Sequence, residues 1–400
     1  MKDRYVWLLS AGHMFTDLNQ GALPAILPFL ILENNLNYTA AAGLVFAANF
    51  ASSIVQPLFG HLADKISKPW LMPAGILMAG LGLAAIGFLS NYWLLFAAVT
   101  ISGIGIAAFH PEAARMANRV SGAKKGTGIS IFAVGGNAGF ALGPIITTAA
   151  LLTWGVKGTL ILIIPAAIMA VILASQAKSL LEFQMQPLSQ RAGNDVTTKD
   201  EWVPFSKLTV VVFCRSVIFY GLNTFLPLYW INIFQQSKAV GGTALTILFI
   251  VGAIGTLFGG QLADRFGYIR IIRIGFAALI PLLLFFTEIN DVAVATLLLI
   301  PIGLSLFAPY SPMVVLGQKY LPNRIGLASG VTLGLAVSVG GITTPMLGWF
   351  ADNYGLSAAM HLIAYVPVLA ALMSFTLSIP GTGLAPLRPV TEQINKTEKL

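Results

Sequence analysis

The chain has 400 residues, of which 56% are hydrophobic and only 10% charged, and its mean hydropathy is +0.82. Because soluble domains carry roughly 25% charged residues, this composition excludes a soluble globular protein and indicates a multi-pass membrane protein. The net charge of +8 is explained by lysines and arginines in cytoplasmic loops, so we expect no nucleic-acid partner. The single cysteine, Cys214, excludes an intramolecular disulfide and a cysteine-based metal site.

Apolar runs divide the chain into segments that are long enough to cross a bilayer. A spanning helix needs about 20 predominantly apolar residues, and twelve runs meet this length: 5–32, 39–63, 70–89, 92–118, 126–152, 157–175, 205–235, 240–263, 269–287, 291–318, 324–350 and 357–379. The sequence therefore predicts an all-α fold with one six-helix bundle at 1–175 and a second at 205–380. The polar stretches 176–204 and 381–400 are predicted to be a cytoplasmic linker and a cytoplasmic tail.

Positive charges indicate the orientation of the twelve spans. With both termini inside, every lysine and arginine falls in a cytoplasmic stretch except Lys157 and Lys238, in external loops, and Arg215, inside a span. Cytoplasmic loops of membrane proteins are enriched in these residues. The asymmetry therefore predicts that both termini are cytoplasmic.

The first span contains the stretch GHMFTDLNQGALPAILPF (12–29), whose polar residues have no water to solvate them inside a bilayer. His13, Asp17, Gln20 and Pro24 follow a spacing of i, i+4, i+7 and i+11, so they share one helix face. Asp17 lies roughly 20 Å into the span, where an unpaired charge costs about 3 kcal/mol or more. One interpretation is a structural pair in which His13 satisfies Asp17. The other, which this cost favours, is proton or substrate handling.

The fourth span carries a second group of ionisable residues, in the stretch FHPEAARMA at 109–117. Glu112 and Arg115 are three residues apart and can pair on one helix face, whereas Pro111 interrupts the hydrogen bonding next to His110. Glu112 is interpreted as a proton relay, as part of a salt-bridge gate or as a structural pair. We favour a role in coupling for Glu112, with His110 as a further candidate.

Arg215 lies roughly 15 Å inside the seventh span, which is too deep for its guanidinium to reach the interface easily. We expect it either to pair with Asp17 or Glu112, or to bind an anionic group of a substrate directly. A permanent internal salt bridge is the structural alternative. The planar guanidinium suits carboxylate, phosphate and phosphonate groups.

Two similar motifs lie 200 residues apart, GHLADK at 60–65 and GQLADR at 260–265. Each copy ends the second span of its half, so the halves are predicted to be parallel repeats related by an axis along the membrane normal. The motif residues are Gly60, Asp64 and Lys65 in the first copy and Gly260, Asp264 and Arg265 in the second.

The fifth span reads GGNAGFALGP at 135–144. Gly135, Gly139 and Gly143 are four residues apart, and Pro144 follows. Small residues at this spacing allow another helix to approach closely. A packing role is therefore one interpretation of this motif, and a role in transport is the other.

With twelve spans, a central linker and two copies of the loop motif, the sequence resembles the major facilitator superfamily over essentially the whole chain. This resemblance implies two six-helix bundles related by a pseudo-two-fold axis, alternating access, and a central cavity lined by helices 1, 4, 7 and 10. It also implies that Asp64 lies near Arg324 and holds the cytoplasmic side shut. A helix 5 that ends in Gly-Pro is similar to that of proton-coupled exporters in the superfamily.

A narrower resemblance rests on three stretches together, HMFTDLNQG in helix 1, FHPEAARMA in helix 4 and GGNAGFALGP in helix 5. In combination they are similar to the fosmidomycin-resistance subgroup of drug exporters. The subgroup does not determine the substrate, but it implies an antibiotic, such as a phosphonate, or a related metabolite.

The residues and the resemblance together predict proton-coupled efflux of a small molecule across the cell (inner or plasma) membrane, and no enzymatic activity. The candidates for proton coupling are Asp17 and Glu112, with His13 and His110. The candidates for contact with the substrate are Arg215, Gln20, Asn137, Asn223 and Tyr310. We expect a monomer without cofactor or metal, whose partners are the substrate, protons and the lipid bilayer.

Two alternatives stay open. The same fold can run as a proton-coupled importer or exchanger of an organic anion, and Arg215 is compatible with that activity. An intramembrane enzyme that uses His13, Asp17, His110 and Glu112 as metal ligands or acid–base groups is a remote alternative. It is disfavoured because the sequence has no His-Glu-x-x-His pattern and no cysteine cluster.

Overall fold

The structure is a computed structural model that describes residues 3–65, 69–121, 125–184, 199–324, 327–328 and 330–381. At residues 3, 54–65, 125–127, 130, 183–184 and 333–334 it describes the backbone only. Within these ranges the chain is helical and no residue lies in a β-strand, which confirms the predicted all-α fold.

The first half of the chain forms six helices. They are α1 (Asp3–Glu33), α2 (Tyr38–Lys65), α3 (Leu71–Ala85), α4 (Tyr92–Val120), α5 (Lys125–Trp154) and α6 (Ile163–Gln184). Short 3-10 segments follow α3 at Ile86–Phe88 and precede α6 at Gly155–Leu162.

The described part of the second half contains seven helices. They are α7 (Trp202–Asn232), α8 (Lys238–Phe266), α9 (Tyr268–Glu288), α10 (Val292–Phe307), α11 (Tyr310–Tyr320), α12 (Ala336–Tyr354) and α13 (Leu356–Phe375). A π-helical segment, Gly330–Leu335, leads into α12. The tenth predicted span is divided into α10 and α11 at Pro309, which lacks the N–H that would continue the helical hydrogen bonds.

The described helices account for the twelve predicted spans. Ten segments are long and apolar enough to cross a membrane, and one of them, Ile131–Glu182, contains most of both α5 and α6. The remaining predicted span is α2, which lies outside those ten. The sixth helix runs to Gln184 and the seventh begins at Trp202, so the predicted linker at 176–204 overlaps both helices, and its residues 185–198 lie outside the described part.

The glycine motif of α5 lies against α1, and this is the most extensive helix contact in the described part of the chain. A Cβ atom at Gly135, Gly139 or Gly143 would collide with backbone carbonyl oxygens of α1, those of Ser10, Met14 and Leu18 respectively. The stripe of small residues therefore lets the two backbones touch, as the packing interpretation of the motif requires.

The two halves contact each other mainly through α2 with α12 and through α5 with α8. At the end of the molecule opposite the chain termini, Asp352 of α12 binds the start of α2. Its carboxylate accepts hydrogen bonds from the backbone N–H of Tyr38 at 2.8 Å and of Thr39 at 2.8 Å, and from the Thr39 hydroxyl at 2.5 Å. Asn232 of α7 donates to the Tyr38 hydroxyl at 3.0 Å. A carboxylate at a helix N-terminus is favourable because it meets unpaired N–H groups and the positive end of the helix dipole.

We predict that Asp352→Ala loosens the contact between the halves at this end, because it removes the acceptor for three donors of α2. The expected result is a longer and broader distance distribution between spin labels at Glu33→Cys and Tyr354→Cys, in a Cys214→Ser background.

A matched control is Asp291→Ala, because Asp291 caps α10 within a single half by accepting from the Val294 N–H at 2.9 Å. This control should leave the distribution between the halves unchanged. An unchanged distribution in Asp352→Ala would show that its contact does not hold the two halves together.

Candidate functional site

Asp17 lies between two histidines in the interior of the N-terminal half. The carboxylate is 4% exposed. Its Oδ2 lies 3.1 Å from His13 Nε2, one turn earlier on α1, and its Oδ1 lies 3.0 Å from His110 Nε2 on α4. The two imidazole rings are T-shaped, with centroids 5.0 Å apart. We call His13, Asp17 and His110 the triad.

The hydrogen bonds of the two rings determine where their protons lie. His13 Nδ1 is 2.8 Å from the Phe132 carbonyl and His110 Nδ1 is 2.9 Å from the Ile106 carbonyl. A carbonyl oxygen only accepts, so each Nδ1 carries the hydrogen and each Nε2 of a neutral ring presents a lone pair. Such a lone pair repels a carboxylate oxygen at about 3 Å, unless a proton on the ring or on the carboxyl group lies between them.

The net charge of the triad therefore depends on how many protons lie in these contacts. Two protons in the two N–O contacts give it a charge of +1, one proton leaves it neutral, and none leaves it negative. Asp17 Oδ1 is buried and has no well-aligned hydrogen-bond donor among the described residues, so its contact with His110 is electrostatic.

Residues of α5 fix the position of the triad. The Phe132 ring stacks on His13 at a centroid distance of 4.1 Å and an interplanar angle of 16°. A Cβ at Gly136 would lie 2.5 Å from His13 Cε1 and 2.6 Å from Asp17 Oδ2. Neither residue was predicted to be part of the site, although the double glycine at 135–136 is the signal for Gly136.

Glu112 lies near the triad in sequence but makes its ion pair elsewhere. Its Oε1 lies 3.2 Å from Arg115 Nη2, as the spacing of three residues predicts. The carboxylate of Glu112 is buried and does not join the group of ligand atoms formed by the triad. The structure thus brings together three of the four residues proposed for proton coupling.

The donor types of the triad are ones that bind transition metals, and their ligand atoms lie within 4.8 Å of one another. However, the Asp17 carboxylate bridges the two rings, because each of its oxygens contacts a different Nε2. The ring nitrogens therefore point at this carboxylate instead of at a shared central position. We assign no metal to this group.

Arg215 lies in the middle of α7, and its contacts are with aromatic rings. Its guanidinium carbon lies 4.5 Å from the ring centroid of Tyr310, 5.6 Å from that of Phe307 and 5.7 Å from that of Phe219. Its Nε donates to the Leu306 carbonyl at 3.1 Å.

Neither of the two ion pairs that we predicted for Arg215 is formed. Asp17 is bound by the histidines and Glu112 by Arg115, and among the described residues no carboxylate lies within ion-pair distance of Arg215. The reason is that the neutralising partners of both acids come from the N-terminal half itself.

A small cavity lies in the N-terminal half, where that half meets α7 of the C-terminal half. Its volume of about 20 Å³ is enough for roughly one water molecule. The polar residues that line it are Asn19, Gln20, Asn49, Ser52, Ser102, Tyr220 and Asn223. The Oδ1 atoms of Asn19 and Asn223 are buried without a hydrogen-bond partner among the described residues, so they can accept a hydrogen bond from a bound molecule.

The candidates for substrate contact are thus distributed over three places. Gln20 and Asn223 line the central cavity, and Tyr310 lies against Arg215. Asn137 is the one polar residue that lines an apolar groove of about 390 Å³ between α5 and α8. Asn19, which we did not predict as a substrate contact, lines the cavity together with Gln20.

The first copy of the loop motif ends α2, but the side chains of Gly60, Asp64 and Lys65 lie outside the described part. The predicted proximity of Asp64 to Arg324 falls there too. Arg324 is exposed, and its Nε lies 3.4 Å from Asp200 Oδ2, at the start of the second half.

The second copy of the motif makes its contacts within the C-terminal half. Asp264 accepts a hydrogen bond from the Tyr268 hydroxyl at 2.8 Å, and Arg265 lies over the Phe266 ring at 5.2 Å. A Cβ at Gly260 would meet only ordinary van der Waals contact. This copy therefore joins α8 to α9 in the described structure.

This fold, with two helical halves, buried ionisable groups and a cavity where the halves meet, is that of a membrane transporter. Residues 9–345 match the Major Facilitator Superfamily profile, so the chain belongs to this superfamily. An uncharacterized MFS-type transporter of Bacillus subtilis, YfnC, is 32% identical over 91% of this chain and 90% of its own. The fosmidomycin resistance protein of Escherichia coli is 28% identical over 92% of this chain and 91% of its own. These matches confirm the family resemblance.

Solved structures share the same fold. A bacterial homolog of the human lysosomal transporter Spinster, in an inward-facing and occupied conformation, superposes with a TM-score of 0.78 over 94% of this chain and 96% of its own, at 15% identity. The nucleoside transporter NupG has a TM-score of 0.71 over 94% of this chain and 100% of its own, also at 15% identity. At this identity the similarity concerns the fold alone.

We predict that Gly136→Ala destabilises the protein by about 1–3 kcal/mol, the typical cost of overpacking a tight interior. Alanine is the better helix former, so any loss of stability arises from the collision with His13 and Asp17. The measurement is the unfolding midpoint of the purified protein. Gly330→Ala is the control, because a Cβ there meets nothing within 4 Å. Equal midpoints for wild type and Gly136→Ala would contradict the tight packing around the triad.

Proposed function

We propose that this protein is a proton-coupled secondary transporter that exports a small molecule by alternating access, and that the triad is its proton site. The observation that carries this proposal is the pair of short contacts between Asp17 and two ring nitrogens. Each contact needs a proton to be stable, and histidine is the side chain that titrates most readily near neutral pH.

Coupling in this proposal arises through conformation. The triad belongs entirely to the N-terminal half, and the central cavity lies at the boundary between the halves. Rocking of the halves about that boundary changes the access of water to Asp17 and its histidines. If proton and substrate favour different states of the transporter, the movement of one drives the movement of the other. Glu112, paired with Arg115, is the second candidate for the proton.

The direction of transport, the substrate and the membrane location are proposed from the relatives and from the charge distribution. Export is supported by the relative that is named for resistance to fosmidomycin, and a related antibiotic or metabolite is the proposed substrate. The distribution of positive charges supports a location in the plasma (inner) membrane with both termini cytoplasmic. We propose a monomer that acts as a transporter and not as an enzyme, with the substrate, protons and lipid as its partners.

A second candidate function is proton-coupled import or exchange of an organic anion. The observation that favours it is Arg215, whose positive charge no described carboxylate neutralises. Import and export differ in the direction of accumulation. Cells that express the protein should accumulate less of the substrate than control cells if the protein exports, and more if it imports. A protonophore should abolish either difference.

We predict that Asp17→Asn abolishes substrate-driven proton movement in inverted membrane vesicles, because asparagine has no carboxylate that can bind and release a proton. The substrate is first identified with a drug-susceptibility panel of cells with and without the gene. The fluorescence of a pH-sensitive dye then reports proton movement when that substrate is added.

The control is Asp291→Asn, which makes the same change at an exposed helix cap and should retain coupling. His13→Gln and His110→Gln should each weaken coupling, because each removes one of the two nitrogens that face Asp17. If Asp17→Asn is expressed normally and still couples substrate to proton movement, Asp17 is not the proton site and Glu112 becomes the candidate.

A further inference from the structure

Arg215 presents hydrogen-bond donors that the described protein does not use. Of its guanidinium nitrogens, Nε donates to the Leu306 carbonyl at 3.1 Å, whereas Nη1 and Nη2 have no hydrogen-bond partner among the described residues. The side chain is half-buried, and its position near the middle of α7 places it roughly 20 Å from the start of that helix. Charged donors at this depth are costly unless something accepts from them.

A second arginine shows what a purely structural arrangement looks like in the same chain. Arg273 also lies over an aromatic ring, that of Phe375 at 5.3 Å. Its guanidinium donates to three carbonyls, those of Ser374 at 3.1 Å, Phe375 at 3.1 Å and Leu377 at 3.0 Å. Backbone acceptors thus satisfy Arg273, whereas the Nη groups of Arg215 are left for another acceptor.

The surroundings of Arg215 suit an acceptor that carries an apolar part. The rings of Tyr310, Phe307 and Phe219 lie within 5.7 Å of the guanidinium carbon, and the last two pack edge to face with centroids 5.7 Å apart. Such rings hold a cation by its attraction to their faces. They leave the planar edge of the guanidinium, with its parallel N–H groups, for an anion.

We propose that Arg215 and its three aromatic neighbours form an anion subsite of the transport pathway. Its ligand is an organic anion whose carboxylate, phosphate or phosphonate group binds the Nη atoms and whose apolar part packs on the rings. This inference rests on the proposed transport function and deepens it, because it names the class of substrate. It also places the substrate charge in the C-terminal half, opposite the proton site.

The test measures binding of phenylphosphonate and benzoate to the purified full-length protein by titration calorimetry, with benzyl alcohol as a neutral analogue. We expect both anions to bind the wild type saturably and the alcohol to bind at least about tenfold more weakly. Arg215→Gln should weaken anion binding about tenfold or more, as expected for the loss of a charged hydrogen-bond donor. Arg215→Lys should lie between the two, because it keeps the charge and loses the bidentate fork.

The control is Arg270→Gln, which removes the same charge from an exposed position and should bind both anions as the wild type does. Unfolding midpoints establish that each variant is folded, and Arg215→Lys tests the subsite if Arg215→Gln does not fold. The subsite is wrong if the wild type binds neither anion at millimolar concentration, or if Arg215→Gln and Arg270→Gln bind them equally. If anion binding fails while Asp17→Asn still abolishes proton coupling, the subsite alone is overturned and the proposed function stands.

Discussion

The bilayer makes an unpaired charge costly, and this constraint explains where the ionisable residues of the protein lie. A charged side chain near the membrane centre costs about 3 kcal/mol or more unless it is paired or hydrated. In the described interior, Asp17 is held by two histidines and Glu112 by Arg115. Arg215 is the exception, because aromatic rings and one carbonyl surround it instead of a carboxylate.

Close packing of α1 against α5 makes the arrangement around Asp17 possible. The glycines at 135, 139 and 143 let the two backbones touch, and Gly136 leaves room beside the carboxylate for the His13 ring. The same approach brings the Phe132 carbonyl within 2.8 Å of His13 Nδ1, which fixes the hydrogen on that nitrogen. A motif that is typical of simple helix packing therefore also fixes the position and hydrogen bonding of the neighbouring His13 ring.

The sequence predicted the fold and the contact between His13 and Asp17, because both depend on local patterns. Apolar length predicted the helices, and a spacing of four residues placed His13 beside Asp17. The contact between Asp17 and His110 joins α1 to α4, and no spacing within one helix contains that information. For the same reason the sequence could not decide whether Arg215 pairs with Asp17 or Glu112, because the order of the spans does not show which helices face each other; neither ion pair is formed in the described structure.

Contacts with backbone groups could not be predicted from the sequence pattern either. The orientation of both imidazoles depends on carbonyl groups of Phe132 and Ile106, and any residue type supplies a carbonyl. Likewise, Asp352 binds two N–H groups at the start of α2, where nothing in the side chains of α2 indicates a carboxylate partner. Asn137 carries the right chemistry for a cavity but lies on the face of α5 that meets α8.

The separation of charge between the halves limits how proton and substrate can be coupled. The proposed proton site lies in the N-terminal half, and the proposed anion subsite lies in the C-terminal half. In the proposed mechanism, an anion on Arg215 cancels a positive charge and thereby favours proton uptake by the triad, and by reciprocity a proton favours the anion. Direct electrostatics thus favours movement of an anion and a proton in the same direction. Exchange in opposite directions requires that the two ligands stabilise different conformations strongly enough to outweigh this attraction. One such difference can arise at the contact between α2 and α12. This contact must break when the two halves separate at the end of the molecule opposite the chain termini.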